Sequence, residues 1–486
     1  MRCMNQSTFF ENYVYALEHD FCSPTGEPAT WAPGYPRYWG QETAKVQLEG
    51  KANALALSPD SKIIAVGIDR EIHIFNAETQ ERVDVLRGHT CAVEQVEFAP
   101  KISNTVGSEG TRYVLVSTGE DLEESAGEGY RHEGYDYAVI VLWELDERGR
   151  LRQKEDRPVD VDTLTSRTLQ PLVSDLVSNY GWKRDEKAMG AIEQAMKKAL
   201  LNAVSLHEQE SKLRLQGELA SFGSPAFSPD GKTMIYLSQN ETTQHGLRDS
   251  ALLPCVNLWD MQSRSLRHRL LGHTDSIMWA GMSPDNTLVA SIAWDGTARI
   301  WNANSGDCVH VFGFGDCQLW SGAFSPDSKY LAVSQGSPRT HIHVYDLQSG
   351  QSVSRFDGFR HWARTLAWSP DGTVIAAGGD SGTVRLWDPL TGEERMQWRL
   401  AFEDPVMRSF AGIQSVQFVD EGRKLVFRTQ EGTVETYDLQ SNLKQQFTRG
   451  TGDKIDTSPE GRMAVSSDAQ LLVVPDADGV LRLWNL

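Results

Sequence analysis

The sequence predicts an all-β chain in which eight copies of one four-stranded unit close into a ring, with a two-helix hairpin inserted in the second copy. Three observations predict it. First, one pattern recurs: Gly-His, an apolar run, Ser-Pro-Asp, a second apolar run, a small turn, then an aromatic residue followed by Asp or Asn. Its clearest copy runs from Gly272-His273 through Ser283-Pro284-Asp285 to Trp301-Asn302. Second, Trp259, Trp301, Tyr345, Trp387, Tyr437 and Trp484 close successive copies at a step of roughly 40–50 residues, the length of four short strands with their turns. Third, Phe75 and Trp143 are two earlier closures, so the count is eight, with seven as the alternative.

The elements follow in order. Residues 1–43 lie outside the repeat and read as an N-terminal arm. Trp31, Pro33, Tyr35, Pro36, Tyr38 and Trp39 make it too aromatic for a free tail, so it is expected to lie against the ring. Lys45–Gly50 (KVQLEG) alternates like an outer strand, while the last copy stops at Leu486 without one. Pairing the two would close the ring and remove an open sheet edge. Loss of residues 1–43 alone is expected to matter less than loss of residues 1–50. The repeats then fill 44–486. Ser-Pro-Asp marks the turn between the first two strands, at Ser58, Ser228, Ser283, Ser325 and Ser369. Proline presets φ there, and Asp suits the reversal.

The repeat and its Gly-His and Trp-Asp punctuation resemble the WD40-repeat family, over nearly everything from about Ala44 to Leu486. The resemblance implies a β-propeller with a top and a bottom face. It also implies a buried polar network in each blade, matched in full by His273, Ser291, Asp295 and Trp301. That network reads as structural rather than catalytic, because buried polar groups must be paired. Other blades depart from it: Glu218 follows Gly217 where His is expected, and Ser381 stands six residues before Trp387 where Asp is expected.

The largest insertion spans about 150–211. Leu169, Leu172, Val173, Leu176, Val177 and Tyr180 form one helical stripe. Met189, Ile192, Met196, Leu200, Ala203 and Leu206 form another. A hairpin of two helices on the bottom face is the expectation, packed on its own propeller or offering a second surface to a partner. Two further insertions, about 119–136 and about 239–254, fall on the top, the first rich in Glu and Asp.

Net charge −19 argues against general binding to nucleic acid or anionic membrane, which needs a basic footprint. The six cysteines show no CxxC pair and no metal spacing, and the N-terminal segment lacks the apolar core of a signal peptide. An intracellular setting is expected, cytoplasmic or nuclear, with no metal and no cofactor. No nucleophile elbow, Walker loop or HExxH motif stands at usable spacing, so no catalytic residue is assigned.

Relatives of this fold hold peptides on the rim of the central channel. The residue five before each turn serine heads an innermost strand and faces that rim. This rule selects Glu94, Met278, Trp320, Arg364 and Arg462, and the residue before the turn acid adds Trp294 and Asp380. Met278, Trp294, Trp320 and Arg364 would form one patch of the composition that anchors interfaces. The function expected is a non-enzymatic scaffold, a monomer or a subunit of a complex, that binds a partner's peptide or loop on the top rim. The alternatives are a propeller hydrolase or isomerase, and a reader of basic histone tails.

Overall fold

Each repeat has room for only one apolar layer on each face of its small sheet, so it can be buried only between two others. In the computed structural model the strands form eight sheets in a closed ring. The structure describes residues 16–19, 21–23, 25–100, 112–120, 138–152, 194, 213–242, 251–336, 340–359, 361–380, 382–401, 412–430, 432–448, 463–476 and 478–486.

Blade 4 shows the unit: Ile277–Met282 innermost, then Leu288–Ala293, Thr297–Asn302 and Cys308–Gly313 outermost, all antiparallel. Blades 1 and 5 repeat it from Ala52–Leu57 to Arg82–Arg87 and from Leu319–Phe324 to Ser352–Phe356. In blade 3 the innermost position is held by two bridges, Glu218 to Leu237 and Phe227 to Met234, instead of a full strand. The second strands are the most buried: every residue of Ile63–Ile68 is buried. Eight apolar clusters fill the ring, one at each junction. Tyr113 and Trp143 join Ile63 and Ile74 between blades 1 and 2, and Leu481 and Leu483 join Ile64 and Leu55 between blades 8 and 1.

The Ser-Pro-Asp turns work as one device. The serine Oγ donates to the following Asp, at 2.8 Å for Ser58–Asp60 and 2.6 Å for Ser283–Asp285, and accepts the N–H that opens the next strand. The degraded copy at Ser466 makes the same bond to Asp468. The residue after the Asp lies at positive φ, +59° at Ser61 and +72° at Gly231, which explains the preference for Gly, Asn or Ser there.

Closure takes the expected route. Ala44–Gln47 pairs antiparallel with Val480–Asn485 and supplies the outer strand of blade 8. The arm before it is docked. Ala16–His19 adds a fifth, antiparallel strand to Glu394–Ala401 of blade 6, and Thr30–Trp31 and Arg37–Tyr38 run parallel to Leu443–Thr448 of blade 7. Phe21 is 1% exposed and stacks on Tyr437 at 4.3 Å, wedged beside Trp398 and Phe427. Trp39 Nε1 donates to Asp476 at 2.7 Å, with the Arg482 guanidinium over its ring at 5.1 Å. The arm therefore has larger structural weight than its position outside the repeat suggests.

One part of the expected fold class is corrected, the inserted two-helix hairpin. The described elements are strands and one 3-10 turn, Asp420–Gly422, with no α-helical element among them. The start of the insertion is also misplaced. Gly149 sits in a tight turn at φ +81°, closed by Gly149 N–H to Asp146. Leu151 already bridges back to Leu145, and Arg152 N–H donates to Glu144. The outer strand of blade 2 resumes at Leu213–Gln216 against Ala138–Leu145. The insertion thus interrupts that strand opposite Trp143. Blades 1 and 3 to 6 carry a one-residue bulge at the same place. Residues 153–212, apart from Gln194, lie outside the described residues, and the partner surface expected on a helical insertion falls with the hairpin. A periodic apolar stripe states which face could be buried; a helix also needs something to bury it against.

Removing residues 1–43 is expected to leave the closing strand but empty the Phe21 and Trp39 sites, lowering the melting temperature. Phe21→Ala alone should cost about 3–5 kcal/mol in chemical denaturation. Removing residues 1–50 should also free both edges at the closure and give aggregates by size-exclusion chromatography.

Candidate functional site

The rim is built by one repeated backbone irregularity. At the head of the inner strands the register slips by a residue, and the skipped residue leaves the ladder. In blades 1, 2, 4, 6 and 7 these are Asn53, Glu94, Met278, Arg364 and Gln414; in blade 5 Trp320 and Ser321 are skipped together. A bulge re-aims a side chain, which is why the position five before the turn serine heads each strand. Arg462 lies outside the described residues. Ser466, not Ser467, is the turn serine of blade 8, so the equivalent position there is 461.

Four of the expected residues meet. Trp294 packs edge-on against Trp320, with centroids 5.3 Å apart. Arg364 lays its guanidinium over Trp320 at 4.7 Å and donates from Nε to both oxygens of Asp380, at 2.7 and 2.9 Å. Trp294 and Asp380 reach the inner strands through equivalent backbone bonds, to Ser276 and Trp362. Met278 holds the same bulge position in blade 4 and is half-buried, while Glu94 is exposed on blade 2, remote in the ring order.

Sequence reasoning missed two members. Trp362 stacks on Trp320 at 4.7 Å, and its ring centroid lies 4.9 Å from the Arg364 guanidinium. Its signal was its place two residues before Arg364. Phe222 comes from blade 3, across blade 4, and meets Trp320 edge-on at 5.3 Å. Ser321 Oγ donates to its carbonyl at 3.3 Å. Phe222 sits at φ +53° in the segment that replaces a regular inner strand, a conformation the repeat pattern does not announce. Trp320 is only 5% exposed. It is the hub on which the others pack, and Arg364, with about a third of its side chain exposed, is the member that faces outward. Blade 5 has Gly336 beside it, where a Cβ would lie 2.5 Å from Trp320 Nε1, so the ring fits only against glycine.

The buried network of blade 4 is complete. His273 bonds Asp295 through Nδ1 and Ser291 through Nε2, both at 2.8 Å, and Trp301 Nε1 donates to Ser291 at 2.9 Å. Burial alone would raise the Asp295 carboxyl, but His273, Thr297 and the Thr274 N–H hold it down to about 2. Blade 2 carries a second network that was overlooked: Ser117 Oγ joins His89 and Trp143 Nε1, each at 2.7 Å. Gly88-His89 was its visible sign. Ser381 lies outside the described residues.

Fold and site together define a repeat propeller with a bulge-built rim. The chain is similar to the WD40-repeat family. Residues 264–302 match the WD domain, G-beta repeat, and residues 323–486 match the family described as Nucleolar protein 10-like, N-terminal domain. It is 29% identical over 27% of its length to the small ribosomal subunit protein RACK1y of Oryza sativa subsp. japonica, covering 40% of that protein. It is 24% identical over 42% of its length to the target of rapamycin complex subunit LST8 of Bos taurus, covering 58% of that protein. The chain thus spans about half the length of these curated relatives. A crystal structure of Chaetomium thermophilum Sqt1 bound to the N-terminus of the ribosomal protein L10 shares the fold, with TM-score 0.57, 15% identity, and coverage of 92% of this chain and 99% of that one.

Ser291→Ala removes the hydroxyl that bonds His273 and accepts from Trp301 and should cost about 1–3 kcal/mol in denaturant unfolding. Asp295 and Asp438 both titrate near 2 in the fold, below the ordinary 3.8. Their stabilisation is therefore complete above the unfolded value and is lost as pH falls from about 4 towards 2. Asp295→Asn should lower stability at neutral pH and flatten that acid limb in pH-dependent melting.

Proposed function

We propose that the chain is a non-enzymatic interaction scaffold that holds a peptide or loop of a partner protein on its top rim. The observation that carries this is Arg364, about a third exposed, held within 5 Å of both the Trp320 and the Trp362 ring and bonded to Asp380. A guanidinium fixed in this way has lost its rotamer freedom before any partner arrives, so contact with it costs little ordering. Trp294, which packs on Trp320, and Met278, at the bulge of the neighbouring blade 4, are half-buried apolar residues of the same rim. The relatives support the reading: the subunit of the target of rapamycin complex works within an assembly, and Sqt1 is seen with a ribosomal protein segment.

An enzyme of this fold would need a reachable carboxylate–histidine pair or two converging carboxylates. The His273–Asp295 pair has the chemistry but not the access: its side chains are 0% and 4% exposed and every bond is spoken for within the blade. The setting proposed is intracellular, with the described cysteines unpaired.

Affinity purification with mass spectrometry tests the scaffold, using Arg364→Glu with Trp294→Ala against the unaltered chain. Trp320→Ala is unsuitable, since the buried ring would leave a cavity costing about 3–5 kcal/mol. Loss of a specific set of partners with an unchanged melting temperature is the expected result. An unchanged partner set would remove the top rim from the proposal.

A further inference from the structure

Blades 4 to 7 make one sector of the rim, and side-chain hydrogen bonding there is one-sided. The residue that follows each second strand is tied to the inner strand by the same backbone bond: Trp294 to Ser276, Gly336 to Gln318, Asp380 to Trp362 and Gln430 to Gly412. These four and the bulge residues beside them hold one cation and one anion, Arg364 and Asp380, which pair with each other. The sector is thus neutral at these positions, in a chain of net charge −19. Its carboxylate and amide oxygens already hold donors. Both oxygens of Asp380 take Arg364 Nε, Gln430 Oε1 takes the Gly412 N–H at 3.4 Å, and Gln414 Oε1 takes Arg428 at 2.6 Å. Its donors are left over. The two Nη groups of Arg364, the Gln430 amide nitrogen and Trp362 Nε1 have no acceptor among the described residues, and all three residues are half-buried. Trp294 Nε1, which is enclosed, also has no acceptor among them.

We propose that this sector takes a proline-rich segment of the partner, extended as a polyproline helix, an inference that rests on the rim as the contact surface. Proline has a carbonyl and no N–H, so such a segment brings acceptors and no main-chain donors, the complement of what the sector has left. An ordinary peptide would instead bury N–H groups against side-chain oxygens that already hold donors, and an unmade bond of that kind is costly. The apolar part matches too. Trp362 is stacked on Trp320 and Trp294 is packed edge-on against it, so the aromatic surface is fixed in place, and aromatic-lined surfaces are what proline rings dock on. A polyproline helix is largely formed before binding, which keeps its ordering cost low. It also brings no charge, so neither Asp380 nor the net charge of −19 repels it.

Calorimetric titration of the full chain with acetylated, amidated octaproline is the test, with tryptophan fluorescence as a second readout. Saturable binding with Kd below about 1 mM is expected. A Gly-Ser peptide of the same length, equally uncharged but with an N–H at every residue, should bind at least about tenfold more weakly. Arg364→Met and Gln430→Met keep bulk and remove donors. Each should weaken octaproline about fivefold, the loss of roughly one hydrogen bond, with the melting temperature unchanged. If one variant does not fold, the other still decides. No saturation by octaproline up to about 1 mM, equal affinity for the Gly-Ser peptide, or full affinity in the methionine variants would each overturn the proposal. Failure here is separable from failure of the scaffold. If octaproline does not bind but Arg364→Glu with Trp294→Ala still sheds partners, the proline-rich chemistry alone falls. If octaproline binds and the partner set ignores that variant, the rim scaffold alone falls.

Discussion

Everything in this molecule depends on the packing of one blade against the next. Each sheet has apolar residues on both faces, and its second strand has no exposed side at all. A single blade is thus insoluble in the literal sense that it has nowhere to place its surface. Eight junctions, each with its own cluster, solve this only when the last meets the first. The whole ring therefore leans on four residues, Ala44–Gln47, paired with Val480–Asn485. The polar networks of blades 2 and 4 stand on the same footing: they are tolerable inside because serine, histidine, tryptophan and, in blade 4, aspartate satisfy one another.

The rim is a by-product of that packing turned to use. Inner strands crowd around the channel, and those of blades 1, 2, 4, 6 and 7 each shed one residue from the ladder at the same level, that of blade 5 two. What the bulge presents differs by blade: a glutamate in one, a methionine in another, an arginine in a third. Blade 3 gives up its regular inner strand, and this lets Phe222 reach Trp320 two blades away. The cluster is rigid because its hub is buried and its one cation is held by a carboxylate on the same blade. Trp320 thereby serves the fold, while Arg364 keeps about a third of its side chain at the surface.

The outer edges are managed unevenly. Arginines guard several, the arm occupies two and closes a third, and the insertion enters blade 2 at the point where other outer strands bulge. That point is the weakest in the ladder, so interrupting it disturbs the least pairing. The N-terminal arm follows another logic: aromatic anchors, Phe21 and Trp39, drop into clefts between blades while its short strands supply backbone bonds.

The sequence by itself determined the blade, the count and the closure. Its period, its Ser-Pro-Asp turns and its missing last strand are local facts, and local bonds such as Ser283–Asp285 enforce them one blade at a time. It also marked the rim positions, because a bulge at a constant distance from a turn is a local feature too. Only the tertiary structure decided which of those positions meet. That Trp320 is buried, that Trp362 and Phe222 complete its surroundings, and that Arg364 is left partly exposed over it depend on contacts between residues far apart in the chain. The hairpin was expected from helical stripes alone, and no α-helical element stands among the described residues. Periodicity describes a face, and whether a face becomes an element depends on a neighbour that no stretch of sequence contains.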